Sequence, residues 1–352
     1  MSTLTTPSRA LSAAIAEFGE PHGYAAAASI GIPPRRAVDA LRADLEAWAR
    51  ADRDPQGYDD IIARTRAHYA RLVGVDATRV ATGSQTSVQA SLVAASVPAG
   101  AEVLVVERDF SSLLVPFTQR PDANVRAVPL EGLADSITSE TFLVVFSLVQ
   151  SATGALADAA AIREAAAQHG ALTFCDTTQA TGVLPVAAGD FDLTVCHAYK
   201  WLCSPRGVSF LTVGARADAV LRPTQGGWYA GDEVWQSCYG TDITLASDAR
   251  RFDVSPAWQA WVGAEQSIGM FAELDIAEIW QRAAGLGELL CHELGLPPRP
   301  QAIVSWPDAD GTQLQRISEA GIRISGRAGR ARASFHLWNT EDDVAAIVRA
   351  VG

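Results

Sequence analysis

Residues 171–213, ALTFCDTTQATGVLPVAAGDFDLTVCHAYKWLCSPRGVSFLTV, contain three short apolar runs separated by turns. The runs ALTFCD, LTVCHA and VSFLTV show no alternation of apolar and polar residues, which is typical of strands buried on both faces. The first run ends on Asp176, and the second leads into His197, Tyr199 and Lys200. This stretch therefore predicts the centre of a buried sheet with reactive side chains at one edge.

Strands and helices alternate through the first two thirds of the chain. AEVLVVE (101–107) and TFLVVFSLV (141–149) predict two more buried strands. SVQASLVAASV (87–97) and DAAAIREAAAQHG (158–170) predict helices, the second ending at Gly170. Alternation of this kind predicts an α/β layer fold with a mainly parallel sheet.

The pattern changes near residue 246. Helices are predicted around 257–273 and 276–293, followed by short strands in QAIVSWP and RARASFHLW. The final segment TEDDVAAIVRAVG predicts a helix with a capping Thr340 and acidic residues in its first turn. We therefore expect a large domain of residues 24–245 and a smaller α+β domain of residues 1–23 and 246–352.

The composition limits the classes of partner. A net charge of −12 argues against nucleic acid or an anionic membrane, since phosphate would be repelled. No stretch has the roughly 18 apolar residues of a membrane-spanning helix, and the N-terminus does not resemble a signal peptide. The five cysteines have no CxxC spacing, so we expect no zinc site, no disulfide framework and a cytoplasmic location.

Ligands in open α/β sheets bind at the carboxyl ends of the strands. The side chains predicted there are Asp109, Phe110, Gln150, Ser151, Asp176, Gln179, His197, Tyr199 and Lys200. In RVATGSQTSVQ (79–89), a short strand leads through a glycine turn into a helix that begins near Ser84, Gln85 and Thr86. The free N–H groups of such a helix start bind anions.

Lys200 is the only lysine in 352 residues, although the chain has 28 lysines and arginines in total. Pyridoxal 5'-phosphate requires a primary amine for a Schiff base, a carboxylate for its ring nitrogen and N–H donors for its phosphate. Arginine cannot replace the amine, because a guanidinium stays protonated. We therefore predict this cofactor, with Lys200 on its aldehyde, Asp176 on its ring nitrogen and residues 84–86 on its phosphate.

The same motifs resemble the class V pyridoxal-phosphate aminotransferase family, which also includes cysteine desulfurases and kynureninases. The resemblance runs from YAAAASIGIPPR (24–35) to RASFHLWNTEDDVAAIV (332–348), and its central motifs are DTTQATG and AYKWLCSPRGVSFL. It implies the fold-type-I architecture, a seven-stranded, mainly parallel sheet between helices with a smaller α+β domain. It also implies that Gln179 donates to the ring hydroxyl of the cofactor.

Four further residues match positions of the family's motifs, and the resemblance implicates Phe110, His197 and Ser255 in cofactor binding. Phe110 occupies the place of a histidine that commonly stacks on the ring. His197 occupies the place of a phosphate-binding serine, and Tyr199 that of a histidine before the lysine. Ser255, in RRFDVSPAW, resembles a residue that reaches the phosphate of the neighbouring subunit. The resemblance thus implies a homodimer with the active site at the subunit interface.

The substrate is expected to be an amino acid. Arg332 matches the arginine that commonly holds the substrate α-carboxylate, a role suited to its bidentate fork. Gln150 and Ser151, at a strand end, are expected near the ring or the substrate. The segment PTQGGWYAG (223–231) resembles a loop near the entrance, and the tryptophans of GGWYAGDEVW (226–235) are expected to line it.

Lys200, once freed, is expected to carry a proton to and from the substrate Cα as a general base and acid. Transamination is the first expectation, and a C–S or C–C lyase or an epimerase is the alternative. The segment RISGRAGRARASF contains no cysteine, which disfavours the desulfurase reaction. A cofactor-free binding or scaffold protein would need the loss of Lys200 or Asp176, and both are present.

Overall fold

The computed structural model describes residues 6–352. The helices are α1 (Arg9–Ala16), α2 (Arg35–Ala49), α3 (Gly57–Leu72), α4 (Thr86–Ser96), α5 (Ser111–Thr118), α6 (Ala159–His169), α7 (Ala215–Asp218), α8 (Trp258–Phe271), α9 (Ile276–Glu293), α10 (Thr312–Glu319) and α11 (Glu341–Val351). The strands are β1 (Val80–Gly83), β2 (Glu102–Val106), β3 (Asn124–Val128), β4 (Thr141–Ser147), β5 (Leu172–Asp176), β6 (Leu193–His197), β7 (Ser209–Val213), β8 (Ile303–Pro307), β9 (Ser325–Arg327) and β10 (Arg330–Ser334).

Seven strands form one sheet in the order β1-β7-β6-β5-β4-β2-β3. Strands β2 to β6 pair in parallel, whereas β7 runs antiparallel to both of its neighbours. The five apolar runs predicted as strands between residues 101 and 213 all lie in this sheet, as expected. The edge strand β3 was not predicted, because its sequence NVRAV is short and none of its side chains is fully buried.

Helices cover both faces of the sheet, which explains why its central strands are apolar throughout. One face packs against α4 and α5 through residues such as Leu92, Val93 and Phe117. The other packs against α3, α6 and α8 through residues such as Tyr69 and Phe271. The ring of Tyr69 stacks on Phe210 of β7 with their centres 4.0 Å apart.

A second, antiparallel sheet has the order β8-β10-β9. It shares a separate apolar cluster with residues of α9, α10 and α11. Helix α11 begins with the predicted cap, where the Thr340 and Asp343 side chains each accept a bond from the other residue's backbone. The N-terminal segment joins this sheet through isolated bridges from Tyr24 to Arg323 and from Ala26 to Ser334.

The topology brings the ends of three central strands together. Ser147 of β4 lies beside Asp176 of β5, and Asp176 lies beside Val195 of β6. His197 ends β6 opposite Ser209, the first residue of β7. The carboxyl edge of the sheet is therefore the place where the candidate residues meet. No helix in residues 6–352 combines the length and apolar character needed to cross a membrane.

Candidate active site

Lys200 lies in the turn after β6 with its side chain buried. Its Nζ is 5.4 Å from the centre of the Phe110 ring and 5.6 Å from that of Tyr199. Burial lowers the pKa of Lys200 to about 8, and the negative charge of Asp176 opposes this shift. An amine with this pKa is partly neutral near pH 7, as a nucleophile or proton acceptor must be.

Asp176 is the last residue of β5 and is also buried. One of its carboxylate oxygens accepts a 2.8 Å bond from the amide of Thr178. Burial raises the pKa of Asp176 to about 6, and the Thr178 bonds and the charge of Lys200 counteract part of this shift. The site thus combines a buried acid at the end of β5 with a buried amine in the turn that follows the adjacent strand β6.

Gln179 packs at the boundary between the large sheet and the N-terminal segment. Its amide nitrogen donates to the Ala28 carbonyl at 3.0 Å and to the Ser151 hydroxyl at 3.2 Å. Its amide oxygen accepts from the indole of Trp201 at 2.8 Å. In this structure the amide of Gln179 therefore orients the residue next to Lys200.

The peptide after Lys200 is fixed from the opposite side by His336. A ring nitrogen, Nε2, of this fully buried histidine lies 2.7 Å from the Trp201 carbonyl oxygen. A carbonyl can only accept, so Nε2 carries the proton. Burial lowers the pKa of His336 to about 4, which keeps the ring neutral.

Ser84, Gln85 and Thr86 form the turn into α4, as the sequence predicted. Thr86 is the first helical residue and is buried, while Gln85 precedes the helix and is exposed. The Gln85 side chain does not cap the helix, so the first N–H groups of α4 have no acceptor from that residue. The arrangement can bind an anion.

His197 is buried at the end of β6, and its Nε2 has no hydrogen-bond partner within residues 6–352. Burial, with the charges of Arg206 and Lys200, lowers the pKa of His197 to about 3. The neutral ring meets Tyr199 edge-on, with centres 4.4 Å apart. Phe110 precedes α5 and remains 39% exposed. His197 thus offers an unpaired polar atom, and Phe110 an open aromatic surface.

Arg332 on β10 is fully buried and reaches across to the large sheet. Its guanidinium donates to the backbone carbonyl of Ser151, to the Ser325 hydroxyl at 3.0 Å and to the Ser29 hydroxyl at 2.8 Å. Gln150, beside Ser151, is buried with an amide nitrogen that has no partner among the described residues. The structure therefore brings Gln150, Ser151 and Arg332 together.

Ser255 is exposed in the segment before α8, away from these internal contacts. Two residues earlier, Asp253 accepts a 2.6 Å bond from the amide of Thr82 on β1. This bond ties the Ser255 segment to the strand that leads into the Ser84 turn. The GGWYAGDEVW segment (226–235) packs through Tyr229 and Trp235, which both donate to Asp59.

Several contacting residues were not singled out from the sequence. These are Ser29, Thr178, Trp201, Ser325 and His336. Ser29 lies within the resembling segment 24–35, and Thr178 and Trp201 lie within the quoted motifs. Ser325 gave no signal, because its position opposite Arg332 depends on strand register.

The residues fit pyridoxal 5'-phosphate. A buried acid ends β5 and a buried amine follows the adjacent strand β6. No side chain caps the start of α4, and His197 Nε2 and Gln150 Nε2 are buried without partners among residues 6–352. Such orphaned polar atoms are rare in folded proteins unless a ligand or water satisfies them. Fold and site together define a fold-type-I, pyridoxal-phosphate-dependent enzyme.

The family described as aminotransferase class-V matches residues 55–314, and the chain belongs to this family. A kynureninase of Salinispora tropica is 28% identical over 339 residues, covering 83% of this chain and 76% of its own. An uncharacterized aminotransferase of Bacillus subtilis, YcbU, is 26% identical and covers 79% of this chain and 80% of its own. The cysteine desulfurase CsdA of Escherichia coli, 20% identical, has the same fold with a TM-score of 0.84 and 97% coverage of both chains.

Proposed function

We propose that the protein is an aminotransferase that acts on an amino acid through Lys200. The observation that carries this proposal is the buried amine of the only lysine, which has a pKa of about 8 and lies at the carboxyl edge of the sheet. Lys200 would bond the cofactor aldehyde, and Asp176 would bond the ring nitrogen. The amides of residues 84–86 and His197 would bind the phosphate, and Phe110 would stack on the ring.

The bound cofactor supplies an aldehyde for the substrate amine and a ring that withdraws electrons from the substrate Cα. Lys200 has two tasks beside it. Its neutral amine would accept the proton from the substrate Cα and, in transamination, deliver it to the cofactor carbon that carried the aldehyde. The buried carboxylate of Asp176 would stabilise positive charge on the ring nitrogen of the cofactor, because an ion pair is strong where water is excluded. Arg332 orients the substrate by its carboxylate.

A desulfurase reaction requires a reactive thiolate, and neither cysteine that flanks Lys200 in sequence supplies one. Burial raises the pKa of Cys196 to about 12, and it also raises the pKa of Cys203 well above its usual range. Both thiols therefore stay protonated and unreactive. The hairpin formed by β9 and β10, which precedes and includes Arg332, contains no cysteine.

A C–C or C–S lyase is the second candidate. The centre of the Tyr199 ring lies 5.6 Å from Lys200 Nζ, so a second side chain that can donate a proton lies beside the lysine. An elimination needs such a donor for the leaving group. Similarity to a kynureninase over 83% of this chain supports a lyase as much as similarity to the aminotransferase YcbU over 79% of the chain supports transamination.

Incubation of the purified holoenzyme with a panel of amino acids separates these reactions. Keto-acid formation with conversion of the cofactor to its amine form supports transamination. Release of a side-chain fragment indicates a lyase, and exchange of the Cα hydrogen without either product indicates an epimerase. Lys200→Ala and Lys200→Arg should both be inactive, because neither supplies a neutral primary amine. Full turnover by either variant would overturn the proposal.

We also propose a homodimer with Ser255 reaching the phosphate of the neighbouring site. The exposure of Ser255, Gln85 and Phe110 in the single chain supports it, since a partner could cover this edge. Light scattering of Ser255→Ala and wild type measures the assembly. Cofactor affinity should fall in the variant while the dimer persists.

A further inference from the structure

The hydroxyl of Ser29 lies between two guanidinium groups. Arg332 Nη2 donates to it at 2.8 Å, and Arg327 Nη2 donates to the same oxygen at 3.2 Å. In the β9–β10 pair, Ser325 lies opposite Arg332, and Arg327 is two residues beyond Ser325 on the same strand. Since side chains two apart share a face, both arginines project from one face of the small sheet. Two cationic forks thus converge on one oxygen atom.

Neither arginine has a carboxylate partner among residues 6–352. The acceptors of Arg332 are oxygens of Ser29, Ser151 and Ser325, and all of them are neutral. Arg327 is exposed and donates to the Gly326 carbonyl and to Ser29. The chain as a whole has 40 acidic residues against 28 basic ones, so the lack of an acid here is not a consequence of composition.

Arg66, the other deeply buried arginine of the described chain, shows the contrast. Both of its terminal nitrogens bond to the carboxylate of Asp253, at 3.2 and 2.6 Å. A buried guanidinium is costly unless an anion compensates it. Arg332 is fully buried and has hydroxyls and a carbonyl instead of an anion. Its missing counter-charge is one that an incoming ligand can supply.

The electrostatics agree with this geometry. Burial lowers the pKa of Arg332 to about 10, and the positive charge of Arg327 adds to the shift. The same two arginines help burial to lower the pKa of Lys200. An anion between the two guanidinium groups would relieve their repulsion and would lie within electrostatic reach of the reacting amine.

We propose that Arg327 and Arg332 together bind the carboxylate of the substrate, with a carboxylate oxygen taking the position now held by the Ser29 hydroxyl. This inference rests on the proposed function and adds Arg327 as a second carboxylate-binding residue. It makes a free carboxylate obligatory, so that amino-acid esters, amino-acid amides and simple amines are not substrates. Arg327 then determines specificity from the exposed side of the site.

Titration of the holoenzyme with propionate, measured by calorimetry, tests the direct contact. Propionate has the carboxylate but no amino group, so it binds without reacting. We expect Arg327→Gln to bind propionate about tenfold more weakly than wild type, equivalent to about 1.4 kcal/mol. Arg323→Gln removes an exposed charge nearby on the chain and should leave the affinity unchanged. Equal affinity in wild type and Arg327→Gln, or no propionate binding to wild type, overturns the inference.

Ser29→Ala separates a direct contact from a supporting one. If Arg327 acts only by holding Ser29, loss of the hydroxyl should weaken propionate binding as much as loss of the guanidinium. If Arg327 binds the carboxylate itself, Ser29→Ala should bind propionate as well as wild type or more tightly. The first outcome overturns the inference.

Turnover distinguishes this inference from the function on which it rests. A wild-type enzyme that converts no amino acid by transamination contradicts the proposed function. A wild-type enzyme that does so, with KM unchanged in Arg327→Gln, contradicts only the role of Arg327. The expected result is a KM raised about tenfold with kcat nearly unchanged, because the contact binds substrate and transition state alike.

Discussion

Gly31 lies directly against the peptide of Lys200. Its amide donates to the Tyr199 carbonyl at 2.9 Å, and a Cβ atom at this position would come within 2.0 Å of the Lys200 carbonyl oxygen. A Cβ would also lie only 2.9 Å from Cα and 3.0 Å from Sγ of Cys203. The N-terminal segment thus forms one wall of the turn that presents the lysine.

We expect Gly31→Ala to displace the Lys200 turn. The clash is with backbone, which cannot rotate away, and overpacking of this kind costs about 1–3 kcal/mol. The variant should unfold at a lower urea concentration than wild type and should load cofactor poorly. Gly57→Ala is the matched control, since a Cβ there meets nothing within 4 Å. If Gly31→Ala bound as much cofactor as wild type, the Lys200 turn would tolerate the added methyl group.

Much of the site could be predicted because its residues follow strands. Asp176 and His197 end apolar runs that only a buried sheet accommodates, and parallel strands bring such ends to one edge. Lys200 follows His197 by three residues and is the only lysine, so chain proximity was sufficient. These residues could therefore be predicted from the strand pattern without knowledge of the tertiary packing.

The contacts around Arg332 could not be predicted in the same way. Ser29 is 303 residues away in sequence and Ser151 is 181 residues away. Serine has no periodicity or charge that marks it as a partner, and it is common in turns. Ser325 reaches Arg332 only through the register of a three-residue strand. Packing between the two sheets decides these contacts.

Phe110 is expected to contribute to cofactor affinity and little to folding, because its ring is partly exposed beside Lys200. Phe110→Ala should weaken cofactor binding about threefold to tenfold, the range for loss of an aromatic pair. Phe110→His should retain most of the affinity, since it keeps a planar ring. Val115→Ala, an exposed residue of the same region, serves as the control. Equilibrium dialysis measures the affinity, and an unchanged value for Phe110→Ala would exclude stacking.

Asp176→Asn should abolish activity yet stabilise the cofactor-free protein. Burial raises the folded-state pKa of Asp176 from 3.8 to about 6. Below the lower value the carboxyl is protonated in both folded and unfolded states, so burial adds no charge penalty. As the pH rises from 3.8 to about 6, the carboxyl ionises in the unfolded chain before it does so in the folded protein, so the free energy of unfolding falls, and the loss is complete above the folded-state pKa. The asparagine variant avoids this loss, which amounts to roughly 2–3 kcal/mol at neutral pH.

Urea unfolding of the two cofactor-free proteins measures this difference. The asparagine can still accept the Thr178 amide bond, so the variant removes the charge without removing the contact. The stability difference should be large at about pH 8 and small at about pH 4. A difference that does not depend on pH would show that Asp176 does not titrate in this range.

Arg66 and Asp253 form a buried ion pair that joins α3 to the segment before α8. Asp253 also accepts the Thr82 amide, so the pair holds β1 in place where the chain enters the Ser84 turn. Removal of one partner leaves an uncompensated buried charge, which costs about 3–5 kcal/mol. Arg66→Met and Asp253→Asn should each destabilise the protein by this order. The double variant should lose much less free energy of unfolding than the sum of the two single losses. A double-mutant cycle measured by urea unfolding gives the coupling energy. Additive losses would mean that the two side chains stabilise the fold independently, and that the Ser84 turn is held by other contacts.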